Sequence, residues 1–195
     1  MGLKTLLKSF LGGDKEIVVG LEEIKEILFH RGNKLLLDQV IFWPDGRVIG
    51  KLKVRLEICE GHEPIPGQLV MRGVDLIEMA FQLLGIMLAK DDELTDLTGK
   101  VFAAREAGSL KVRSGFILVG DDLTLETRTD VDVEDMGHGL IRVASSRMTA
   151  TVGGKARGTV DSVTLAGFGA FLDSDSTPAV ISPETLVKDD QTRTE

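Results

Sequence analysis

Apolar residues recur at helical spacing from the start of the chain. Leu3, Leu6, Leu7, Phe10 and Leu11 share one side of a helical wheel, with Lys4 and Lys8 elsewhere, and Gly12-Gly13 ends the pattern. This predicts an amphipathic helix within an N-terminal segment of residues 1–20. Such a helix either docks on its own domain or a second copy, or serves as a weak membrane or partner anchor. Residues 21–30, LEEIKEILFH, predict a second short helix with Ile24, Ile27 and Leu28 on one side. KLLLDQVIFW and RVIGKLKVRLEI then read as strands split by Pro44-Asp45-Gly46, a turn tripeptide in which proline presets φ and glycine accepts a positive φ. Along residues 52–58 apolar and charged positions alternate, as in a half-buried strand.

The most apolar stretch is 72–89, RGVDLIEMAFQLLGIMLA. Its length and composition favour a helix buried on most sides. After the first residue only Asp75, Glu78 and Gln82 are polar, three and four apart on one narrow stripe. Strand-like segments follow at roughly 100–106, 109–119, 122–134, 139–152 and 156–166, separated by glycine-bearing turns. Strands in succession rather than in alternation with helices make the class α+β. An antiparallel sheet curved around the long helix would bury it. The main domain is expected over 21–170, with a flexible acidic tail over 171–195 that is rich in Ser, Thr, Asp and Glu.

Composition narrows the function. The net charge of -8 argues against a nucleic-acid binder, which needs a basic footprint. No apolar run has the ~18 residues of a membrane span, and Lys4 and Lys8 break any secretory pattern, so a cytoplasmic protein without stable membrane insertion is expected. Cys59 is the single cysteine, so no intrachain disulfide can form. Three scattered histidines and one cysteine lack metal-ligand spacing, and no metal is expected.

Gly61-His62-Glu63-Pro64-Ile65-Pro66-Gly67-Gln68-Leu69-Val70-Met71-Arg72-Gly73-Val74 leads from a strand end through a proline- and glycine-rich loop into the long helix. Alone, His62 would read as an ordinary loop histidine and Glu78 as a surface carboxylate. Together, this stretch and the helix resemble the 3-hydroxyacyl-acyl-carrier-protein dehydratases. Pro66 to Val74 matches the family loop, and Glu78, Gln82 and Gly85 match its helix spacing. Ile27 to Arg31 is similar to the family's "ILPHR", Lys34 to Val40 to its "FLLVDRV", and Gly120-Asp121-Asp122-Leu123 to its "PGDQL" turn. The likeness spans about residues 21–168. Two extra residues follow His62, Glu63 stands where the family has phenylalanine, and Leu69 and Arg72 replace loop prolines.

The resemblance implies a hotdog fold and dehydration of a 3-hydroxyacyl thioester on acyl carrier protein to the trans-2-enoyl thioester, without a cofactor. It implies His62 as the base for the α-proton and Glu78 as the acid or water-binding group. The Gly73 N–H would polarise the thioester carbonyl, Gln82 would orient Glu78, and Val74 would line the substrate path. These types suit the task. Histidine titrates near working pH with an unperturbed pKa of ~6.5, and a carboxyl desolvated on an apolar helix can hold a proton. A helix N-terminus offers a free N–H and a favourable dipole. The resemblance also implies a homodimer or trimer of dimers, each site taking its histidine from one chain and its carboxylate from the other. Glutamate at the helix position points to dehydration without isomerisation. A hotdog thioesterase using a carboxylate-activated water, and an inactive acyl-binding hotdog, are the alternatives. His30 and His138 are expected to be structural or exposed. Lys111, Arg113, Arg142, Arg147, Lys155 and Arg157 are expected to form a solvated sheet face, or a dock for an acidic carrier protein.

Overall fold

The computed structural model describes residues 3–6, 15–91, 102–113, 115–136 and 140–168. The apolar stretch forms α3 (Gly73–Ala89). Leu76, Met79, Ala80, Leu83, Leu84, Ile86, Met87 and Leu88 are buried, as expected of a helix apolar nearly all round.

Twelve described strands, β1 (Leu3–Leu6), β2 (Ile17–Gly20), β3 (Gln39–Phe42), β4 (Arg47–Lys53), β5 (Phe102–Ala107), β6 (Leu110–Val112), β7 (Asp122–Arg128), β8 (Asp130–Asp135), β9 (Leu140–Ser145), β10 (Met148–Val152), β11 (Lys155–Val160) and β12 (Val163–Phe168), make two sheets in the orders β1-β8-β9-β12-β5 and β2-β3-β4-β7-β10-β11-β6. β7 (Asp122–Arg128) and β8 (Asp130–Asp135) are two halves of one chain path bent at Thr129. β9 (Leu140–Ser145) and β10 (Met148–Val152) bend at 146–147, and β11 (Lys155–Val160) and β12 (Val163–Phe168) at 161–162. β5 (Phe102–Ala107) and β6 (Leu110–Val112) bend at 108–109. The halves run in the same lateral order in both sheets, so the two are one antiparallel sheet folded along a common crease. α3 lies against β5, β6, β11 and β12. This is the expected hotdog arrangement of a long helix wrapped by a curved antiparallel sheet.

The crease is fastened from strand to strand. Gly108 N–H donates to Ser162 O at 2.8 Å, and Asp161 N–H to Ser109 O at 3.0 Å. The Asp161 carboxylate accepts from the Ser109 hydroxyl and from Arg147 Nε at 3.1 Å. The Ser109 bond, aided by Lys111 and Arg147, holds the Asp161 carboxyl below the usual carboxylate range.

β2 (Ile17–Gly20), β3 (Gln39–Phe42) and β4 (Arg47–Lys53) extend the larger sheet. Gly50 on β4 admits the core side chains, since a Cβ there would lie 2.7 Å from Leu37 Cδ2 and 3.3 Å from Leu83 Cδ1. α1 (Leu21–Ile27) packs beside α3, fastened by the Lys90–Glu23 ion pair. Leu28, just after α1, rests on the helix at Gly85, where a Cβ would sit 3.4 Å from Leu28 Cδ2.

The structure corrects several expectations. Leu3–Leu6, expected in a helix, forms β1 and pairs antiparallel with β8. The open edge of β8 satisfies this extended backbone. Residues 7–13 of that helix, the charged loop at 92–100 and the tail at 171–195 lie outside the described residues. The expected strand over 34–43 is shortened to Gln39–Phe42, preceded by a 3-10 turn at Gly32–Lys34. The strand expected through 52–58 stops at Lys53, and Leu56–Cys59 forms the short helix α2. Arg55 explains the change. Its guanidinium donates to Asp38 Oδ1 at 2.6 Å and to Leu35 O at 2.8 Å, which turns the chain off the sheet. Leu56 is 56% exposed in consequence, although the alternating pattern placed it inward. Of the expected strand 109–119 only Leu110–Val112 is regular, with an isolated bridge between Leu118 and Val70.

Candidate active site

His62 follows α2 at a turn closed by its own N–H on Cys59 O at 3.0 Å. Two contacts with Val70 then fix it. Val70 N–H donates to His62 O at 3.0 Å, and His62 Nδ1 lies 2.8 Å from Val70 O. A carbonyl only accepts, so the ring proton sits on Nδ1 and Nε2 presents a lone pair. Residues 63–69 between these anchors form a closed excursion. Gln68 N–H donates to Ile65 O at 2.9 Å, Gly67 N–H to the Glu63 carboxylate, and Gly67 takes a φ of 79° that favours glycine. Residues 63–68 are exposed, so the two-residue insertion is taken up outside the core while His62 stays tied to Val70.

From Val70 the chain enters α3. Val70 bridges Leu118, and Met71 N–H donates to Ile117 O at 2.9 Å. Asp75 ties the helix start. Its carboxylate accepts the Arg72 backbone N–H at 3.1 Å and the guanidinium at 2.7 and 3.1 Å. The Arg72 side chain is held protonated by that bond. Gly73 opens α3, where the first N–H groups have no intrahelical acceptor. It packs against β6, and a Cβ there would meet Leu110 at 3.3 Å and Val112 at 3.4 Å.

Glu78 faces a cavity of about 580 Å³, within the range of small-molecule sites. Val74, Leu36 and Ile58 give it an apolar part, and Lys34, Arg72 and Asp75 a charged one. Glu78 keeps 39% of its side chain accessible. The desolvated carboxyl expected from the apolar helix is therefore not realised within one chain, because Glu78 points into the cavity rather than the core. Gln82, one turn on, is buried and fully bonded. Its amide oxygen accepts Leu36 N–H at 2.8 Å, and its amide nitrogen donates to Lys34 O at 2.6 Å and to Glu78 Oε1 at 3.0 Å. Asp38 and Arg55 hold the other end of the same segment, so the cavity wall at Lys34–Leu36 is fixed on both sides.

His30, expected to be structural or exposed, lies against Glu78 with Nε2 3.0 Å from Oε1. Sequence reasoning missed it as a site residue, although its motif after α1 was the available signal. Arg31 shapes the turn that presents it, donating to Leu28 O at 2.5 Å, His30 O at 2.7 Å and Lys25 O at 2.7 Å. The structure thus brings Glu78, Gln82, Val74 and His30 together. His62 is not among the residues that line the Glu78 cavity. Cys59 is buried, and burial pushes its thiol up, so it offers no thiolate nucleophile. Among the described residues no three His, Cys, Asp or Glu side chains converge as metal ligands would. No described helix is long and apolar enough to cross a membrane.

Of the six basic residues expected on a sheet face, Lys111, Arg142 and Arg147 form ion pairs, Lys111 at 4.0 Å from Asp161. Arg142 pairs with Glu134 at 3.0 Å and Glu106 at 3.7 Å, and Arg147 with Asp161 at 3.1 Å. That leaves less free positive charge on this face than the sequence alone suggested.

Comparison with known proteins agrees with this architecture. A chain of the dehydratase heterocomplex ApeI:P from Xenorhabdus doucetiae superposes with a TM-score of 0.53 at 15% identity, over 74% of this chain and 90% of that one. No protein-family model matches the sequence. Curated relatives do. The 3-hydroxyacyl-acyl-carrier-protein dehydratase FabZ of Lawsonia intracellularis is 34% identical over 109 residues, 54% of this chain and 69% of the relative. FabZ of Ruminiclostridium cellulolyticum is 34% identical over 139 residues, 69% of this chain and 87% of the relative. FabZ of Acinetobacter baylyi is 29% identical over 144 residues, 72% and 90% of the two chains. The fold and site define a hotdog domain with a helix-borne carboxylate. The chain belongs to the 3-hydroxyacyl-acyl-carrier-protein dehydratase family.

Proposed function

We propose that this chain dehydrates 3-hydroxyacyl thioesters carried on acyl carrier protein, giving the trans-2-enoyl thioester in the synthesis of fatty acids or related acyl chains. The observation that carries the reading is the pinned ring of His62. The sequence departs most from its family just after this residue, yet Nδ1 is held on Val70 O, which supports Nε2 as the base.

In the reaction His62 Nε2 removes the α-proton and the Cα=Cβ bond forms. The Cβ–O bond breaks, and the departing hydroxyl takes a proton from the Glu78 carboxyl to leave as water. The thioester carbonyl gathers charge as the α-proton leaves, and the Gly73 N–H at the start of α3 stabilises it. Val74 lines the acyl path. Proton transfer from His62 back to Glu78 resets the site. No cofactor enters this balance.

The working unit is a homodimer at least, within the cytoplasm. His62 does not line the cavity of the Glu78 in its own chain, and a second chain would supply it. Val74 and Phe29, 59% and 80% exposed, leave apolar surface beside that cavity for a partner copy to cover.

The test is hydration of a trans-2-enoyl thioester, the reverse reaction, followed by loss of enoyl absorbance on carrier-protein and coenzyme A substrates. His62→Ala and Glu78→Gln should each lose about 10² or more in kcat/KM. Refolding the two variants together should restore about a quarter of wild-type activity, because half of the dimers are mixed and each carries one intact site. No recovery would refute the shared site. Release of free thiol instead of hydration would make the chain a thioesterase, and inactivity on both with acyl binding retained would make it a binding protein.

A further inference from the structure

Glu78 Oε1 has two neighbours capable of donating to it, Gln82 Nε2 at 3.0 Å and His30 Nε2 at 3.0 Å. The direction of the first is fixed, because the amide oxygen of Gln82 is taken by Leu36 N–H. The direction of the second follows from burial. His30 Nδ1 is buried without a hydrogen-bond partner. A proton there would be a buried donor with no acceptor, which costs about 1–3 kcal/mol. The ring proton therefore sits on Nε2 and points at Glu78. The ring is held in that pose by stacking on Phe29, with centroids 4.3 Å apart and planes at 23°, and by the Arg31-capped turn.

We propose that His30 is a positioning residue of the site. With Gln82 it clamps Oε1 from two sides, so that the proton Glu78 gives up is carried on Oε2, the oxygen left free to face the departing hydroxyl. A carboxyl with both oxygens free would hold its proton on either and turn about its last torsion. Two donors on one oxygen remove both freedoms. The two histidines then have opposite tautomers, His62 protonated on Nδ1 and His30 on Nε2. The inference rests on the acid role proposed for Glu78, but the clamp itself is visible without turnover.

The experiment uses the full chain labelled with 15N in histidine, of which there are three. A long-range 1H–15N spectrum should show a ring protonated on Nε2 whose signals are lost in His30→Gln and shifted in Glu78→Gln, while the His62 signals stay in place. A His30 proton on Nδ1, or a His30 ring indifferent to Glu78→Gln, overturns the clamp whether or not the chain is active. In the hydration assay His30→Ala should lower kcat about 10-fold or more with KM changed by less than about 3-fold. His30→Gln, which keeps an N–H near the same point, should recover most of that loss at a Tm equal to that of His30→Ala. If Glu78→Gln abolishes turnover and His30→Ala does not lower it, the positioning role fails while the dehydratase reading stands. If wild type turns over neither substrate, the dehydratase reading fails, and the tautomer alone decides the clamp.

Discussion

Replacing Gln82 by methionine should cost more stability than its modest change in shape suggests. Gln82 is 1% exposed and links α3 to the Lys34–Leu36 segment through two backbone bonds. Methionine fills nearly the same volume, so the packing change is small. The hydrogen bonds decide the magnitude. Leu36 is 2% exposed, and without Gln82 its N–H is a buried donor beyond the reach of water, at about 1–3 kcal/mol. Lys34 is exposed, and its carbonyl can turn to solvent for about 1 kcal/mol or less. The expected loss is about 1–4 kcal/mol, or roughly 2–16 °C in Tm for a domain of this size. Urea unfolding at fixed protein concentration, followed by the fluorescence of the single Trp43, measures it. A loss below about 1 kcal/mol with an unchanged m-value would refute the reasoning, because the buried N–H would then have found another acceptor.

Two further perturbations test the core and the crease. Gly50→Ala places a methyl 2.7 Å from Leu37 Cδ2, and Leu37 and Leu83 are fully buried, so about 1–3 kcal/mol should be lost to overpacking in the same urea assay. Asp161, bonded by Ser109 and flanked by Lys111 and Arg147, has its carboxyl held low. A lowered folded pKa adds stability above the unfolded value of about 3.9 and loses it as pH falls through the folded value. The difference between wild type and Asp161→Asn should therefore be constant near neutrality, begin to fall as the pH approaches about 4, and vanish only below the folded pKa. A difference that grows on acidification would contradict that sign.

The sequence by itself determined the elements whose cause is local. α3 was legible because an apolar run of that length, with polar residues only on one stripe, has one way to be buried. The run of strands was legible from period-two patterning and glycine turns, and the positions of Glu78, Gln82 and His62 from motif spacing. Tertiary structure decided what depends on partners distant in the chain. Leu56 fits a strand pattern equally well, and the reach of Arg55 to Asp38 is what sets α2 instead. The crease splits the expected strands 122–134, 139–152 and 156–166 at points no propensity marks, since it lies where neighbouring bends align and Asp161 can fasten them. The fate of the insertion after His62 turned on whether Val70 could meet it again, which two hydrogen bonds settle. His30 became a site residue only because α1 docks on α3 and Arg31 turns the chain back over Glu78. Periodicity reports which face is buried, but contact between remote segments depends on the packing of the whole core, and no local pattern carries that information.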